Sequence, residues 1–470
     1  MRNSKLYIIL QTLSTKEKKK LKRFIQSPYF NENQFLIELF ELLTVDIELD
    51  KKEIWNRIKP NASFNDVLFR RLCSDLFKLI NDFIVIDQYK NSPVSKNNDL
   101  LVYFNDKNLD KHFWGIEKIQ RQQMNKSAIR DADYYLNRLK LEEVVDEKKV
   151  KSIQLTKQVN LEQSDKMLDC FYLSRKLKNY CNVLNYKNVL NLEINQFISD
   201  EIFSLVDEHE QLQEIPAISI YFKIACTLVY PEEEYYLDDL IKLLDQHGNA
   251  FPMLELRDMY IFAQNYCIKK INTGKQVYFE KLFRVYQVIL KRGIIYNNGQ
   301  LLPWDYKNIV SLGLRLKEFD FIEEFIDTQN KNLPVDFQSN AIIYNKANLH
   351  FYKKNYQQVI ELLREVKYQD LYYELDCRWL LLKTYFELDE WEAMSSLLES
   401  FRLYLIRNKL LSKRNQRQYL NLVKFSTRLI RLTLRDEKAI QKLRLKIIES
   451  KEVAERKWLL EKIGEFEIRA

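Results

Sequence analysis

The sequence predicts an all-α protein, and three observations carry that prediction. Seven glycines and eight prolines in 470 residues, where average usage gives roughly 33 and 24, leave little punctuation for turns, strands or phosphate-binding loops. Apolar residues recur at spacings of three and four over long stretches, the period of a helix with one buried face. A helix-pair motif also repeats between Trp304 and Leu405; such a pair cannot bury its apolar stripe alone, so neighbouring pairs must stack.

The helices can be placed in order. Ser14 and Glu17 form a capping box that opens a basic helix over Thr15 to Gln26. Ser27-Pro28-Tyr29-Phe30-Asn31 ends it, because proline disfavours helical geometry in the residue before it. Helices follow over Gln34 to Leu43, Lys51 to Ile58 and Phe64 to Gln88. In the last of these, Val67, Leu68, Leu72, Leu76, Leu79, Ile80 and Phe83 are expected to form one buried face. A polar loop over Asn91 to Asn98 is expected to mark a boundary, and from Asp99 to Leu212 the helices lengthen and become strongly charged, as in Ile129 to Glu147. Beyond Pro216 they shorten into pairs, with Pro216, Pro231 and Pro252 placed where helices can start. The expected organisation is an N-terminal helical domain over residues 1–92 and a long-helix region over 99–215. Helical-hairpin repeats over 216–405 and a basic helical cap over 406–470 complete it.

The chain exceeds the roughly 250–300 residues at which a single core stops growing, which requires several domains or a repeat array. Hydrophobic residues make up 46% of it and aromatics 13%, too much apolar surface for a disordered chain. The run Leu6 to Leu10 is too short for a secretory leader, and no small-residue cleavage site follows it. No window approaches 18 apolar residues without charge. The expectation is a soluble cytoplasmic protein that spans no membrane. Cys73, Cys170, Cys181, Cys226, Cys267 and Cys377 lie singly in apolar helical stretches and read as small core residues.

Three segments between Trp304 and Leu405 align at intervals of 34 and 35 residues. In this register Gly313, Ala347 and Leu382 are equivalent, as are Leu316, His350 and Tyr385. Ile322, Tyr356 and Trp391 then mark the second helix, followed by Phe325, Val359 and Met394. The pattern resembles tetratricopeptide repeats: Leu312-Gly313 reproduces their dipeptide, and Tyr356 and Trp391 their second-helix aromatic. Lys346-Ala347 and Leu381-Leu382 replace the dipeptide, and Val359 and Met394 stand where alanine is usual. That resemblance implies a right-handed superhelical solenoid of helix hairpins. The whole chain also resembles an uncharacterised family of long helical proteins from Bacteroidota-type bacteria. Ser27-Pro-Tyr-Phe-Asn31, Asn265-Tyr-Cys-Ile268 with Ile271-Asn272, Tyr306-Lys-Asn-Ile309 and Leu312-Gly-Leu-Arg-Leu-Lys-Glu318 carry that likeness, which implies no activity.

No glycine pair has the spacing and context of a P-loop or a dinucleotide fingerprint. His112, His209, His247 and His350 are dispersed, with none at the i, i+3 or i+4 spacing of helical metal sites. His209, between Glu208 and Glu210, reads as part of a solvated helix face, and His350 as a packing residue. Glu232-Glu233-Glu234 reads as acidic loading of a helix N-terminal turn. The expectation is a non-enzymatic protein without metal or cofactor.

Charge is segregated. Met1 to Arg23 carries +7, Arg402 to Lys446 carries +12 and Ile447 to Ala470 carries −1, so Phe24 to Phe401 carries −10 within a chain of net +8. Arg417, Lys424, Arg428, Arg431, Arg435, Lys438 and Lys442 follow steps of seven, four, three, four, three and four. If helix persists there, they share one face, and a stripe of one sign calls for an acidic partner. Phosphates of nucleic acid, an acidic protein and the chain's own acidic middle are the candidates, beside the plain reading of a solvated capping helix. The function expected from the repeats is a scaffold or adaptor that holds a protein or peptide. The alternative is RNA or DNA binding through the basic stripe, and a third reading makes Phe64 to Phe83, with Arg70 and Arg71, a helix-turn-helix reader of DNA.

Overall fold

A computed structural model describes residues 4–45, 50–151, 161–190, 200–364, 371–408, 411–432 and 437–469. These residues form twenty-four α-helices and no strand, so the protein is all-α. The chain divides into two compact units: residues 1–222 with 249–251, and residues 223–248 with 252–470.

The first unit begins with α1 (Lys5–Thr12), α2 (Thr15–Ile25), α3 (Gln34–Val45), α4 (Lys51–Ile58) and α5 (Asp66–Lys90). These five helices share a core built on Leu21, Leu39, Trp55, Leu76 and Ile80. The capping box of α2 is formed in both directions, with the Ser14 N–H donating to Glu17 at 2.7 Å and the Glu17 N–H donating to Ser14 Oγ at 3.3 Å. The Ser27–Asn31 break closes that helix: Asn31 Nδ2 donates to Ile25 O at 3.0 Å, and Phe30 stacks on Phe24 with centroids 4.1 Å apart. The buried face of α5 runs from Phe69 to Phe83. Val67 and Leu68 are exposed instead, because they lie in its first turn, just past the Asn65 cap and ahead of the point where the helix enters the core.

Next come α6 (Pro93–Asp106), α7 (Asp110–Lys126), α8 (Ala132–Lys151) and α9 (Leu161–Leu190), then α10 (Asp200–Glu208), α11 (Glu210–Gln213) and α12 (Pro216–Val229), whose residues from 223 on fall in the second unit. Helix α6 replaces most of the loop expected at Asn91–Asn98, because Pro93 stands at the first position of a helix, where its missing N–H costs nothing. The density of charge in α7 and α8 is absorbed by pairing. Arg121 grips Glu142 with both terminal nitrogens, at 2.8 and 3.0 Å, and buried Lys148 meets Asp110 at 2.6 Å. Residues 249–251 belong with this unit because the Arg130 N–H donates to Ala250 O at 2.8 Å.

The second unit takes in α13 (Tyr235–His247), α14 (Met253–Asn272), α15 (Tyr278–Lys291), α16 (Pro303–Arg315), α17 (Phe319–Gln329) and α18 (Val335–Tyr352). It continues through α19 (Tyr356–Arg364), α20 (Leu371–Glu387), α21 (Trp391–Arg407), α22 (Lys413–Leu429), α23 (Glu437–Glu449) and α24 (Arg456–Arg469). Pro216 and Pro252 stand at helix starts, whereas Pro231 lies in the link before α13, where its carbonyl accepts the Tyr266 hydroxyl at 2.7 Å. Glu232 and Glu234 do not cap α13 through their side chains; they pair with Lys270 and Lys275.

Consecutive helices pack together from α13 to α22. The turns after α16, α18 and α20 repeat one hydrogen-bond pattern. Glu318 N–H donates to Gly313 O, Asn355 N–H to His350 O and Glu390 N–H to Tyr385 O, each at 2.9 Å. Lys317, Lys354 and Asp389 sit at the turning point with φ of 64°, 62° and 56°. This six-to-one closure with a left-handed residue satisfies carbonyls that a helix end otherwise leaves bare.

The shared turn sets the repeat register. Gly313, not Leu316, is level with His350 and Tyr385, so the first segment lies three residues away from the alignment expected from sequence, and the intervals become 37 and 35 residues. Phe319, Tyr356 and Trp391 each open a second helix, and Ile322, Val359 and Met394 occupy one fully buried position behind them. The Leu312-Gly313 dipeptide misleads because Gly313 serves close packing and not the turn: a Cβ there would lie 2.5 Å from Ile322 Cδ1.

Gly313→Ala should therefore destabilise the protein. Overpacking costs about 1–3 kcal/mol, more than the roughly 1 kcal/mol that alanine returns in helix propensity. Gly115→Ala, in α7 with nothing within 4 Å of the added Cβ, should instead stabilise by about 0.5–1 kcal/mol. Urea unfolding of both variants checks the pair; a raised midpoint for Gly313→Ala would contradict the packing described.

Candidate functional site

The first helices of successive pairs form a row, in which α16 touches α18 and α18 touches α20. Four charged side chains converge along it. Lys307 of α16 pairs directly with Asp376 of α20. Lys383, two turns further along α20, lies near Asp376, Glu387 and Glu455, the last being the residue before α24. Tyr344 of α18 and Tyr419 of α22 stand beside the same carboxylates, and burial pushes both phenols up, Tyr419 to about 12.

Lys383 is the unusual member. Its ammonium lies 4.7 Å from the centroid of Phe351 and 5.2 Å from that of Trp379. Among the described residues no carboxylate lies within ion-pairing distance of it and no hydrogen bond holds it. The side chain keeps some contact with solvent, yet the protein crowding its head lowers its pKa from the ordinary lysine value, against the pull of Glu455, Asp376 and Glu387. Two aromatic faces offset part of that desolvation.

Glu455 shows the complementary effect. Burial raises its carboxyl above the usual value, Asp376 adds repulsion, and Lys383 and Lys307 pull the other way. It occupies the left-handed region with φ of 51°, a conformation that costs a non-glycine residue roughly 1–2 kcal/mol. The packing of α24 fixes it there. Trp458 meets Trp379 edge-on at 4.9 Å and Phe386 at 5.3 Å, and Lys462 pairs with Glu387 at 2.6 Å. The C-terminal helix thus ties the loop bearing Glu455 to the helix bearing Lys383. The arrangement can present an incompletely compensated cation, a carboxyl prone to hold its proton, and aromatic walls to a polar ligand.

None of these four residues is singled out by motif or periodicity. A signal does exist: Lys383 interrupts the run Trp379-Leu-Leu-Leu382 and Thr384-Tyr-Phe386, and a lone lysine in such a stretch must end near apolar surface.

The basic stripe is divided. Helix α22 ends at Leu429 and α23 begins at Glu437, so the cations do not share one helix face as continuous helix would require. Arg417, Lys424 and Arg428 lie on α22, Arg431 in the turn after it, and Lys438 and Lys442 on α23, while Arg435 lies outside the described residues. Arg417 pairs with Glu452 at 3.2 Å. Lys424, Arg428, Arg431, Lys438 and Lys442 are exposed, and among the described residues none has a carboxylate within ion-pairing distance. On α5, Arg70 and Arg71 each face an aspartate of their own helix, at 2.6 and 4.0 Å.

His112 packs against Phe104, with centroids 5.4 Å apart, and His209 is held to Leu205 O at 2.9 Å. His350 is half-buried; burial and Lys353 lower its pKa, and its Nδ1 has no hydrogen-bond partner. Five of the six cysteines are buried and none of the six is joined in a disulfide. Burial pushes the Cys377 thiol up to about 12, far from a reactive thiolate. Among the described residues no three His, Cys, Asp or Glu side chains stand together as a metal site would need, and no helix is long and apolar enough to cross a membrane.

The chain matches no protein-family model, no curated protein and no solved structure. Functional assignment therefore rests on the residues themselves.

The charge state of Lys383 makes a pH prediction. Folding disfavours its protonated form, so the folded pKa lies below the unfolded value near 10.5; the stability linked to this group is present above 10.5 and is lost as pH falls through the folded pKa. Lys383→Met removes that penalty and should be more stable than the parent at pH 7, with the advantage narrowing as pH rises through the folded pKa and gone above 10.5. Denaturant melts across that range check this, and a variant less stable at pH 7 would contradict the desolvation described.

Proposed function

We propose that this chain is a non-catalytic adaptor, a tetratricopeptide-like superhelix that holds an acidic segment of a partner protein along the row of α16, α18 and α20. The observation that supports this reading is the uncompensated ammonium of Lys383. A lysine kept for stability alone would be paired or solvated, whereas one held desolvated beside aromatic rings costs stability, and such departures from local optimality concentrate at functional sites. An Asp or Glu of the partner supplies the missing counter-ion, and Trp379 and Phe351 supply apolar contact to its stem. Stacked helix pairs suit the task because they expose an extended surface without rearrangement.

A second reading is favoured by a different observation. The exposed, unpaired cations of α22 and α23 provide the charge that nucleic-acid phosphates require, and binding there would weaken steeply with salt.

The two readings separate in one experiment. Tagged full-length protein is purified from its native cells at low salt, with and without nuclease, beside Lys383→Met and the triple variant Arg428→Glu/Arg431→Glu/Lys438→Glu. The adaptor reading expects defined protein partners that survive nuclease and fall about tenfold in Lys383→Met, consistent with loss of one charge-assisted contact, while the triple variant retains them. Partners lost on nuclease treatment, or lost only in the triple variant, would overturn it in favour of nucleic-acid binding.

A further inference from the structure

We propose that a cavity formed by α13, α14 and α15 binds a small amphipathic anion: an apolar or aromatic body bearing an acidic head such as a phosphate, sulfonate or carboxylate. The cavity has a volume of about 670 Å³, within the roughly 300–1,000 Å³ of ordinary small-molecule sites. It involves none of the helices of the proposed adaptor row.

Three features define its occupant. Ile241 of α13 and Val285 and Val288 of α15 give it an apolar floor. Tyr260 of α14 lines it with a side chain only 1% exposed, whose hydroxyl oxygen is buried and has no hydrogen-bond partner. Asp245 stands near that phenol, and both its charge and its hydrogen-bonding reach add to burial in raising the phenol's pKa, yet the two groups fall short of the distance and angle of a formed hydrogen bond. Burial pushes Tyr260 up to about 12, so near neutral pH it is an O–H donor lacking an acceptor. A buried donor of this kind is costly unless an oxygen reaches it.

Charge selects the sign of the ligand. Lys281 is already bound to Asp238, at 2.7 and 3.0 Å, and Asp245 is offset by Arg292 at 3.6 Å. Arg284 and Lys291 remain exposed at the cavity, and among the described residues neither has a carboxylate partner. Seven residues apart on α15, they lie on one face about 10 Å apart along the axis. An acidic head can thus accept from the Tyr260 hydroxyl and meet an uncommitted cation, while its body rests on Ile241, Val285 and Val288.

The test uses the full chain with 1-anilinonaphthalene-8-sulfonate, an aromatic body with an anionic head, and its uncharged relative N-phenyl-1-naphthylamine. Titrations monitor fluorescence for the parent, Tyr260→Phe, Arg284→Glu and Val288→Trp. The expected result is a sulfonate component that weakens about tenfold or more in Tyr260→Phe and Arg284→Glu and is lost in Val288→Trp, with the uncharged probe sensitive to Val288→Trp alone. Competition by adenosine monophosphate or by dodecanoate supports the site and distinguishes an aromatic from an acyl source; competition by neither overturns it. Sulfonate binding unchanged in Tyr260→Phe, or equal losses of both probes in Arg284→Glu, also overturns it. Should Val288→Trp not fold, Tyr260→Phe decides alone.

Discussion

A long all-helical chain must reverse direction repeatedly, and every reversal has to satisfy the bare carbonyls of the helix it ends. Here Lys317, Lys354 and Asp389 enter the left-handed region with side chains in place, and the following amide closes a six-to-one bond to the helix behind. The conformational penalty is repaid by the carbonyls so satisfied and by what the reversal allows. Ile322, Val359 and Met394 enter the same buried position of successive pairs because three turns share one geometry. The row of α16, α18 and α20 follows from that equivalence.

The row brings together groups from distant parts of the sequence. Lys307, Asp376, Lys383 and Glu455 span nearly 150 residues, yet they act on one another electrostatically. The C-terminal helix matters for more than its charge: Trp458 and Lys462 fasten α24 to α20 and so hold Glu455 beside Lys383. Crowding a lysine head with protein while leaving it without a close counter-ion is poor stability design. That imbalance is the physical reason to propose the row, and not the more conspicuous basic stripe, as the surface that meets a partner.

Periodicity made the helices legible. The capping box at Ser14 and the break at Pro28 are local, so adjacent residues encode them, and the structure forms both. Helix pairs between Trp304 and Leu405 were legible, but the alignment lies three residues off the shared turn in its first segment. Glycine was read there as a mark of equivalence, whereas the equivalent feature is a turn that Lys317, Lys354 and Asp389 make without glycine. The stripe failed as a single face for a related reason: seven cations at helical steps imply one surface only while the helix continues, and α22 stops at Leu429. Lys383 escaped because its partners lie on other helices. Tyr260 escaped because an orphaned hydroxyl exists only in three dimensions.

Hydrogen–deuterium exchange of the full-length protein, alone and with the partner it retains after nuclease treatment, tests the central claim most directly. Partner-dependent protection confined to peptides of α16, α18 and α20 around Lys307, Asp376 and Lys383 is the result this account predicts. Protection confined to α22 and α23, with that row unchanged, would contradict it.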